Sequence, residues 1–406
     1  MEVVAQPVLQ VDNRLSAVPP LPKHELRKDD WEWFIADENE GYFSDDFVQV
    51  NRGELNDFRS VSANLFSLLM QAAQRIADRN AWKEAGIPTN AIPLISYSLR
   101  HEKDNYLVGR FDFAGGIEGK TLKMLEINAD TCSLMPETAF IQELYWEIES
   151  KELGHRPFNL LIHGLKQKFQ KLLQQHPNKA ANLLITTFGY EEDVLNMRVI
   201  ERAANMAGFT QITHTTLDKV IFSPDEGVFV ESRTGEYTAY DFWYKFNPWD
   251  ILANEEPELF DILEQIIRND LCVIMNPAFS MLLQSKAIMK FMYDLSPRHE
   301  NLLKTTFNAR DFYNHKYVRK PSFGRMGENI AYHDGDIEPE YETEGDYEDF
   351  DKVYQEIAPF NIDRKDHRYQ PSVFYTHEPC GIAIRRQDDL IIDDDAEFVG
   401  HTVARM

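Results

Sequence analysis

The stretch GRFDFAGGIEGKTLKMLEINADTCSLMPE, residues 109 to 137, decides how the rest of the chain is read. It contains two strand-like pieces around a glycine-rich turn. In RFDFA, Arg110 and Asp112 lie two apart, so a strand puts both on one face. In MLEIN, Glu126 and Asn128 do the same, while Phe111, Phe113, Leu125 and Ile127 fall on the opposite face. An antiparallel register keeps the sum of paired residue numbers constant, and the pairs 110/128 and 112/126 share one sum. One register therefore sets Arg110 opposite Asn128 and Asp112 opposite Glu126, with the hairpin centred at Gly119. Four polar groups then share one patch of sheet.

Two carboxylates and an amide oxygen suit a hard cation, and Mg²⁺ is commonly held by one or two carboxylates together with substrate phosphates. An arginine beside them suits a transferring phosphoryl group, whose charge it can neutralise. The competing reading of the same four residues is a solvated sheet face carrying cross-strand ion pairs. The catalytic reading requires a nucleotide site elsewhere in the chain.

With 406 residues the chain is too long for one small core, and two or three packed subdomains are expected. Hydrophobic residues make up 43% and aromatic residues 12%, enough for a sizeable core. Acidic residues number 67 against 42 basic, a formal net charge of -25, which argues against nucleic-acid or anionic-membrane partners but not against a local basic cleft. Cys132, Cys272 and Cys380 show no paired spacing, so neither a zinc site nor a disulfide framework is indicated. The sequence shows no basic-then-apolar leader and no apolar run of ~18 residues, and a cytoplasmic protein is expected.

Along the chain, residues 1 to 28 read as an arm, with Pro7, Pro19, Pro20 and Pro22. Residues 54 to 86 read as a helix, and Leu94 to Leu99 as a strand leading into the hairpin. Helices are expected from Pro136 and over 160 to 175. Then NLLITTFG, the amphipathic run Glu191 to Met206 closed by Gly208, and QITHTTL give strand, helix and strand, the pattern of a parallel unit. Phe242 to Lys245 and Cys272 to Met275 could extend that sheet. SKAIMKFMYDL starts a helix, and YVRKPSFGRMGENI is a strand carrying Lys320 into a loop with Gly324 and Gly327. Backbone amides of such a loop can wrap phosphates, and a preceding lysine can reach them. Residues 334 to 351 hold ten Asp or Glu and read as a solvated excursion. A strand at Val353 and a strand pair between Pro371 and Arg386 follow.

RFDF, LEINADTCS, FWYKFNPWD, SKAI, YVRKPSFGRMGENI, VYQEIAP and GIAIRRQDDL together resemble the synthetase part of the glutathionylspermidine synthase family, in its order and from about Asp29 onward. The standalone acid–amine ligase branch is the nearest in form. The resemblance implies an α/β (α+β) chain with an ATP-grasp-type fold and a pre-ATP-grasp α/β subdomain. It implies four regions: the arm (1–28), an N-terminal part (29–180) holding the metal-binding hairpin (109–130), an α/β subdomain (181–285), and a lid with the C-terminal part (286–406). It implies ATP and Mg²⁺ as cofactors. Asp112, Glu126 and Asn128 would be metal ligands and Arg110 the residue that stabilises the transferred phosphate. Lys286 and Lys320 would contact ATP, Gly324 and Gly327 would belong to the phosphate-covering loop, and Gln355, Glu356, Ile357 and Ala358 would form the strand beside the adenine. Thr131, Ser133 and Arg385 would touch the acid, with Arg386 as the second register for the arginine.

The implied reaction joins a peptide or glutathione-like acid to a polyamine-like amine through an acyl phosphate. One position departs from the pattern: where the family offers a Lys-Thr pair to glutathione, this chain has Lys245 and Phe246, and a phenyl ring supplies no hydrogen bond. Two other classes remain open: a catalytically inactive ATP-grasp homologue that binds nucleotide or serves as a scaffold, and an acidic interaction protein using residues 334 to 351.

Overall fold

The computed structural model describes residues 11–20, 41–335 and 338–405. Most of the expected arm thus lies outside the described residues. Its described part is not loose: Leu15–Ala17 pairs antiparallel with Phe43–Val50, and Val11 is fully buried. Four sheets are present among the described residues. The largest runs Leu15–Ala17, Phe43–Val50, Glu397–Val403, Pro379–Gln387, Arg368–Tyr375, Gly109–Ala114 and Lys123–Asn128, with Asn361–Ile362 paired to the fifth of these. Early and late segments thus interleave in one sheet, and the hairpin is completed by strands more than 240 positions away in sequence.

The hairpin register is the expected one, with Arg110 opposite Asn128 and Asp112 opposite Glu126. The far end differs. Phe113 pairs with Met124, so Leu125 is an extra residue in its strand. A β-bulge shifts everything beyond it by one. Met124 therefore takes the fully buried position, and Leu125, expected on the apolar face, lines the cavity instead. Alternation otherwise holds. Phe111, Phe113, Val373, Ile382 and Ile384 enter one core, while Phe374, Ala383 and Phe398 enter the core on the opposite face.

The second sheet is wholly parallel, in the order Val273–Met275, Phe242–Lys245, Asn182–Thr187, Gln211–Thr216. Its crossover is the helix Glu191–Ala207, which Gly208 ends in a left-handed conformation at φ 114°. Asn276, just past the strand end, ties this sheet to the first. Its Oδ1 accepts from the Leu107 N–H at 2.7 Å, and its Nδ2 donates to the carbonyls of Val108 and Asp130, each at 2.8 Å.

The third sheet, Thr305–Thr306, Lys352–Glu356, Lys316–Pro321, Ala331–Asp334 and Tyr341–Glu342, is antiparallel and carries the glycine loop. The acidic stretch is not simply a solvated excursion, because it contributes the last of these strands. Thr343 Oγ1 donates to the Gly327 carbonyl, and the Asn329 side chain accepts from the Tyr347 N–H, so this stretch braces the loop.

Two helix expectations change. Arg52–Arg79 is one 28-residue helix, started by a reciprocal Asn51–Glu54 cap and stopped by Asn80 in the left-handed region, short of the expected end at 86. Ile92–His101 is a helix and not a strand. Its Pro93 sits in the first turn, where a missing N–H costs nothing, and Leu94, Ile95, Ser98 and Leu99 form a helical stripe. The expected helices at Glu137–Ser150 and Leu161–Gln175 are present, the first mostly with wider π turns. No helix among the described residues is long and apolar enough to cross a membrane.

Candidate active site

The hairpin, the glycine loop and the first helical turn after the parallel sheet enclose a cavity of about 1220 Å³. Arg110, Asp112, Glu126, Asn128, Thr131, Ser133, Lys286, Lys320, Gly324, Gly327, Gln355, Glu356, Ile357, Ala358 and Arg385 all line it. The chain positions so brought together span 275 residues, so their convergence is a property of the fold.

At the cavity floor Asp112 is almost fully buried. Its carboxylate accepts from Arg110 Nε at 2.8 Å and Nη2 at 2.9 Å, from Asn128 Nδ2 at 2.9 Å and from Ser372 Oγ at 2.7 Å. Burial alone would raise this carboxyl, but the Arg110 charge and hydrogen bonds outweigh it and hold it below the usual carboxylate range. Arg110 also donates through Nη1 to the Ser133 carbonyl at 2.9 Å.

Glu126 is more open, and its Oε2 lies 3.3 Å from Lys286 Nζ. Lys286 donates in turn to the Gly324 carbonyl at 2.8 Å. The Leu125 bulge gives its carbonyl a role: it accepts from Lys320 Nζ at 3.4 Å and from Gln355 Nε2 at 3.5 Å, drawing the third sheet onto the hairpin. Burial brings the Lys320 ammonium down to about 8, against the pull of Glu126. In the loop, Met326, Gly327 and Asn329 all have left-handed backbones. A side chain at Gly327 would meet Asp393 at 2.9 Å, so this position needs glycine for space as well as for conformation.

Two neighbouring arginines separate cleanly. Arg386 points away from the cavity and pairs with Asp46 at 2.6 Å and Glu397 at 2.7 Å. Arg385 faces the cavity, has no carboxylate partner among the described residues, and bonds only the Asp393 carbonyl at 3.1 Å. Its Nε is buried without a partner. Burial and then the Arg110 charge lower its pKa, the position of a cation that lacks an anion.

Among the described residues no group of three or more His, Cys, Asp or Glu side chains could hold a metal alone. Glu126 and Asn128 line the cavity, and their side-chain oxygens are of a kind that suits a hard cation completed by phosphate oxygens. The four acceptor sites of Asp112 are already taken, so it would ligate only by giving up a bond to Arg110, Asn128 or Ser372. The residues fit Mg²⁺ with phosphates and do not form a closed metal cage.

Sequence reading missed a second, acidic corner. Glu192 and Asp193, at the start of the crossover helix, line the cavity beside Asp394 and Asp395. Burial raises the Glu192 carboxyl and pushes Asp193 up to about 7. Behind them Glu137, also pushed up to about 7 by burial, accepts from Tyr42 Oη while its second oxygen is buried without a partner. Helix-start acids look ordinary in a sequence, where a carboxylate in the first turn is expected. Phe246 lines the cavity at 6% exposure, while its neighbour Lys245 is sealed beneath in a salt bridge to Asp130 at 2.8 Å.

Residues 14–404 match the family model described as glutathionylspermidine synthase pre-ATP-grasp. A Haemophilus influenzae protein provisionally named an acid–amine ligase is 25% identical over 371 residues, 89% of this chain and 90% of the relative. The glutathionylspermidine synthase of Crithidia fasciculata is 28% identical over 277 residues, 61% of this chain and 37% of the relative. The bifunctional glutathionylspermidine synthetase/amidase of Escherichia coli is 22% identical over 347 residues, 80% of this chain and 53% of the relative. The chain thus matches about half or less of these last two. In fold, it is similar to a glutathione synthetase-like effector from Globodera pallida, with a TM-score of 0.53 at 12% identity, covering 96% of this chain and all of that one.

Proposed function

The chain belongs to the glutathionylspermidine synthase pre-ATP-grasp family, and on that premise we propose that it is an ATP- and Mg²⁺-dependent ligase with an ATP-grasp-type lid, joining a carboxylate to an amine. The acid is of a peptide or glutathione-like class and the amine of a polyamine-like class. What supports this reading is one observation: a single cavity is lined both by the cations Arg110, Lys286, Lys320 and Arg385 and by an acidic corner of Glu192, Asp193, Asp394 and Asp395. Phosphates and an acid carboxylate suit the first, and a cationic amine suits the second.

Bound ATP with Mg²⁺ would supply the phosphoryl group that turns the acid carboxylate into an acyl phosphate. The protein's work is positioning and charge neutralisation, with no covalent nucleophile. Lys286, Lys320 and the amides around Gly327 hold phosphate oxygens. Glu126 and Asn128 provide metal-facing oxygens. Arg110 neutralises charge that develops on the transferred group, and Asp112 keeps the guanidinium planar to that face. Thr131, Ser133 and Arg385 orient the acid, with the Arg385 guanidinium as its carboxylate-binding cation. Glu192, Asp193 and Asp394 hold the amine as a cation until it enters the site. Cys132 takes no part: it is fully enclosed, and burial pushes its thiol up to about 12.

Phe246 gives the acid side an apolar wall where a hydroxyl donor is absent. The acid is then selected there by shape more than by hydrogen bonding. The test is ADP release with Mg²⁺ over a panel of peptides and amino acids, glutathione included, crossed with a panel of polyamines. Turnover that needs both an acid and an amine is expected. ATP binding without turnover for any pair would instead favour the inactive nucleotide-binding homologue. Phe246→Thr should change the ratios among acids. A uniform change across the panel would remove Phe246 from acid selection.

A further inference from the structure

We propose that Gln284 supplies a fixed hydrogen-bond donor where the phosphate half and the acid half of the cavity meet, directed at the oxygen of the acid's reacting carboxyl group. The proposal rests on the ligase reading above and assigns it a residue that none of the sequence motifs singled out.

Gln284 closes the short helix Ser280–Gln284, two residues before Lys286, and it is 7% exposed. Its Oε1 accepts from the backbone N–H of Ala129 at 2.7 Å and of Asp130 at 3.2 Å. Two backbone donors can meet only the oxygen end of the amide, so the orientation is fixed by the network. The Nε2 then has to point the other way. It bonds to no described group, it is not among the atoms sealed from solvent without a partner, and the side chain lines the cavity. A rigid N–H donor therefore opens into the site.

Its location narrows what it meets. Ala129 and Asp130, which anchor the amide, follow Asn128 of the metal-facing set and precede Thr131 and Ser133 of the acid side. Lys286, on the other flank, reaches Glu126 and the glycine loop. The donor sits at the seam between nucleotide and acid. When the amine, having passed one proton to water, attacks the acyl phosphate, the C–N bond forms and the carbonyl electron pair moves onto oxygen. That pair then returns, the bond between the carbonyl carbon and the bridging oxygen breaks, phosphate leaves with that oxygen and its electrons, and the remaining surplus proton on nitrogen passes to water. Negative charge thus builds transiently on one carbonyl oxygen. A donor already oriented by two backbone bonds stabilises that charge without reorganising, the condition under which one donor is worth ~10²–10³-fold in rate.

The test is Gln284→Glu, which keeps an oxygen for Ala129 and Asp130 but replaces the donor with a carboxylate oxygen. ADP release is measured with the acid and amine pair that the wild type turns over best, alongside calorimetric binding of Mg·ATP in the absence of acid. The expected result is a kcat lower by ~10²–10³-fold with nucleotide affinity changed by less than about threefold. The ratio of variant to wild-type kcat should also climb as pH falls and the new carboxyl regains a proton to donate. Turnover near the wild-type rate would overturn the proposal, as would a loss of Mg·ATP affinity that accounts for the whole loss of rate. A wild type that turns over no pair overturns the ligase reading and the role of Gln284 with it. A wild type that turns over while Gln284→Glu matches it overturns the role of Gln284 alone.

Discussion

Two buried cation–carboxylate pairs, Lys245–Asp130 and Arg110–Asp112, lie close in the fold and do different jobs. In the first, both side chains are essentially sealed, at 0% and 1% exposure. Asp130 also accepts from the Trp249 N–H at 2.7 Å and from Ser280 Oγ at 2.9 Å. Lys245 donates a second bond to the Asn247 carbonyl at 3.1 Å and sits 4.3 Å from the centre of the Trp249 ring. All of these contacts are internal, and the pair pins the hairpin's exit to the end of the parallel sheet. Arg110–Asp112 is nearly as buried but borders the cavity, and Asp112 has two neutral donors besides the arginine. Burial does not distinguish the structural pair from the proposed catalytic one. Access to the cavity does.

The comparison is broken most severely by Lys245→Met, which leaves the Asp130 charge buried with only neutral donors. Breaking a buried pair from one side costs ~3–5 kcal/mol, and a large fall in the thermal midpoint is expected by calorimetry. A midpoint within about 2 °C of wild type would show that the pair is not structural. Arg110→Gln should behave in the opposite sense. Asp112 keeps two neutral donors, as Asp130 does, but it lines the cavity, where water and the new amide can replace the lost bonds, so the stability loss should be the smaller of the two, while ADP release falls ~10²–10³-fold. Unchanged turnover per folded molecule would return Arg110 to the structural class.

Lys320 sharpens the contrast by carrying a cation that burial disfavours. Its pKa falls on folding to about 8. The unfolded chain therefore binds this proton more tightly than the folded one. The folding cost is full below that value and is relieved as pH rises toward the unfolded lysine's ~10.4. Lys320→Met should abolish nucleotide-dependent turnover and yet stabilise the fold at pH 7, by roughly 2 kcal/mol. The gain should shrink at about pH 9.5. Urea midpoints at the two pH values measure it, and a variant less stable than wild type at pH 7 would contradict the assigned cost.

The smallest expected effect concerns the acidic corner. Asp193 is raised to about 7, and Glu192 is raised as well, both by burial. The Asp193 carboxyl ionises as pH rises through neutrality, so the KM for a cationic amine should fall several-fold between about pH 6 and 8. Asp193→Asn should flatten that slope. An amine KM equally pH-dependent in the variant would move the amine away from this corner.

How much of this was legible in the sequence depended on whether the information was local. The Arg110/Asn128 and Asp112/Glu126 pairing could be computed from numbering alone, because strand side chains repeat every two residues and both strands lie within one short segment. The Leu125 bulge could not be read, since an inserted residue leaves no mark in an alternating pattern and its reason, a carbonyl offered to Lys320 and Gln355, lies some two hundred residues away. The run Leu94 to Leu99 misled because six apolar-rich residues fit both periods, and packing chose the helix. Charge-rich residues 334 to 351 read as solvated on composition, yet backbone pairing recruits a piece of them to brace the loop.

What the sequence determined by itself is therefore the set of chemical parts: the polar face of one hairpin, a lysine ahead of a glycine loop, and the ordered motifs that identify the family. Each is encoded within a few residues, where covalent geometry dictates which side chains share a face. Only the tertiary structure decided which of those parts meet and which of two neighbouring arginines faces the cavity. It turned Arg385 inward and Arg386 onto Asp46 and Glu397, sealed Lys245 beneath Phe246, brought Glu192 and Asp193 into the same cavity as the basic residues, and fixed the Gln284 amide on the backbone of Ala129 and Asp130. These outcomes depend on strand order and on packing between segments far apart in the chain, and no local period carries that information.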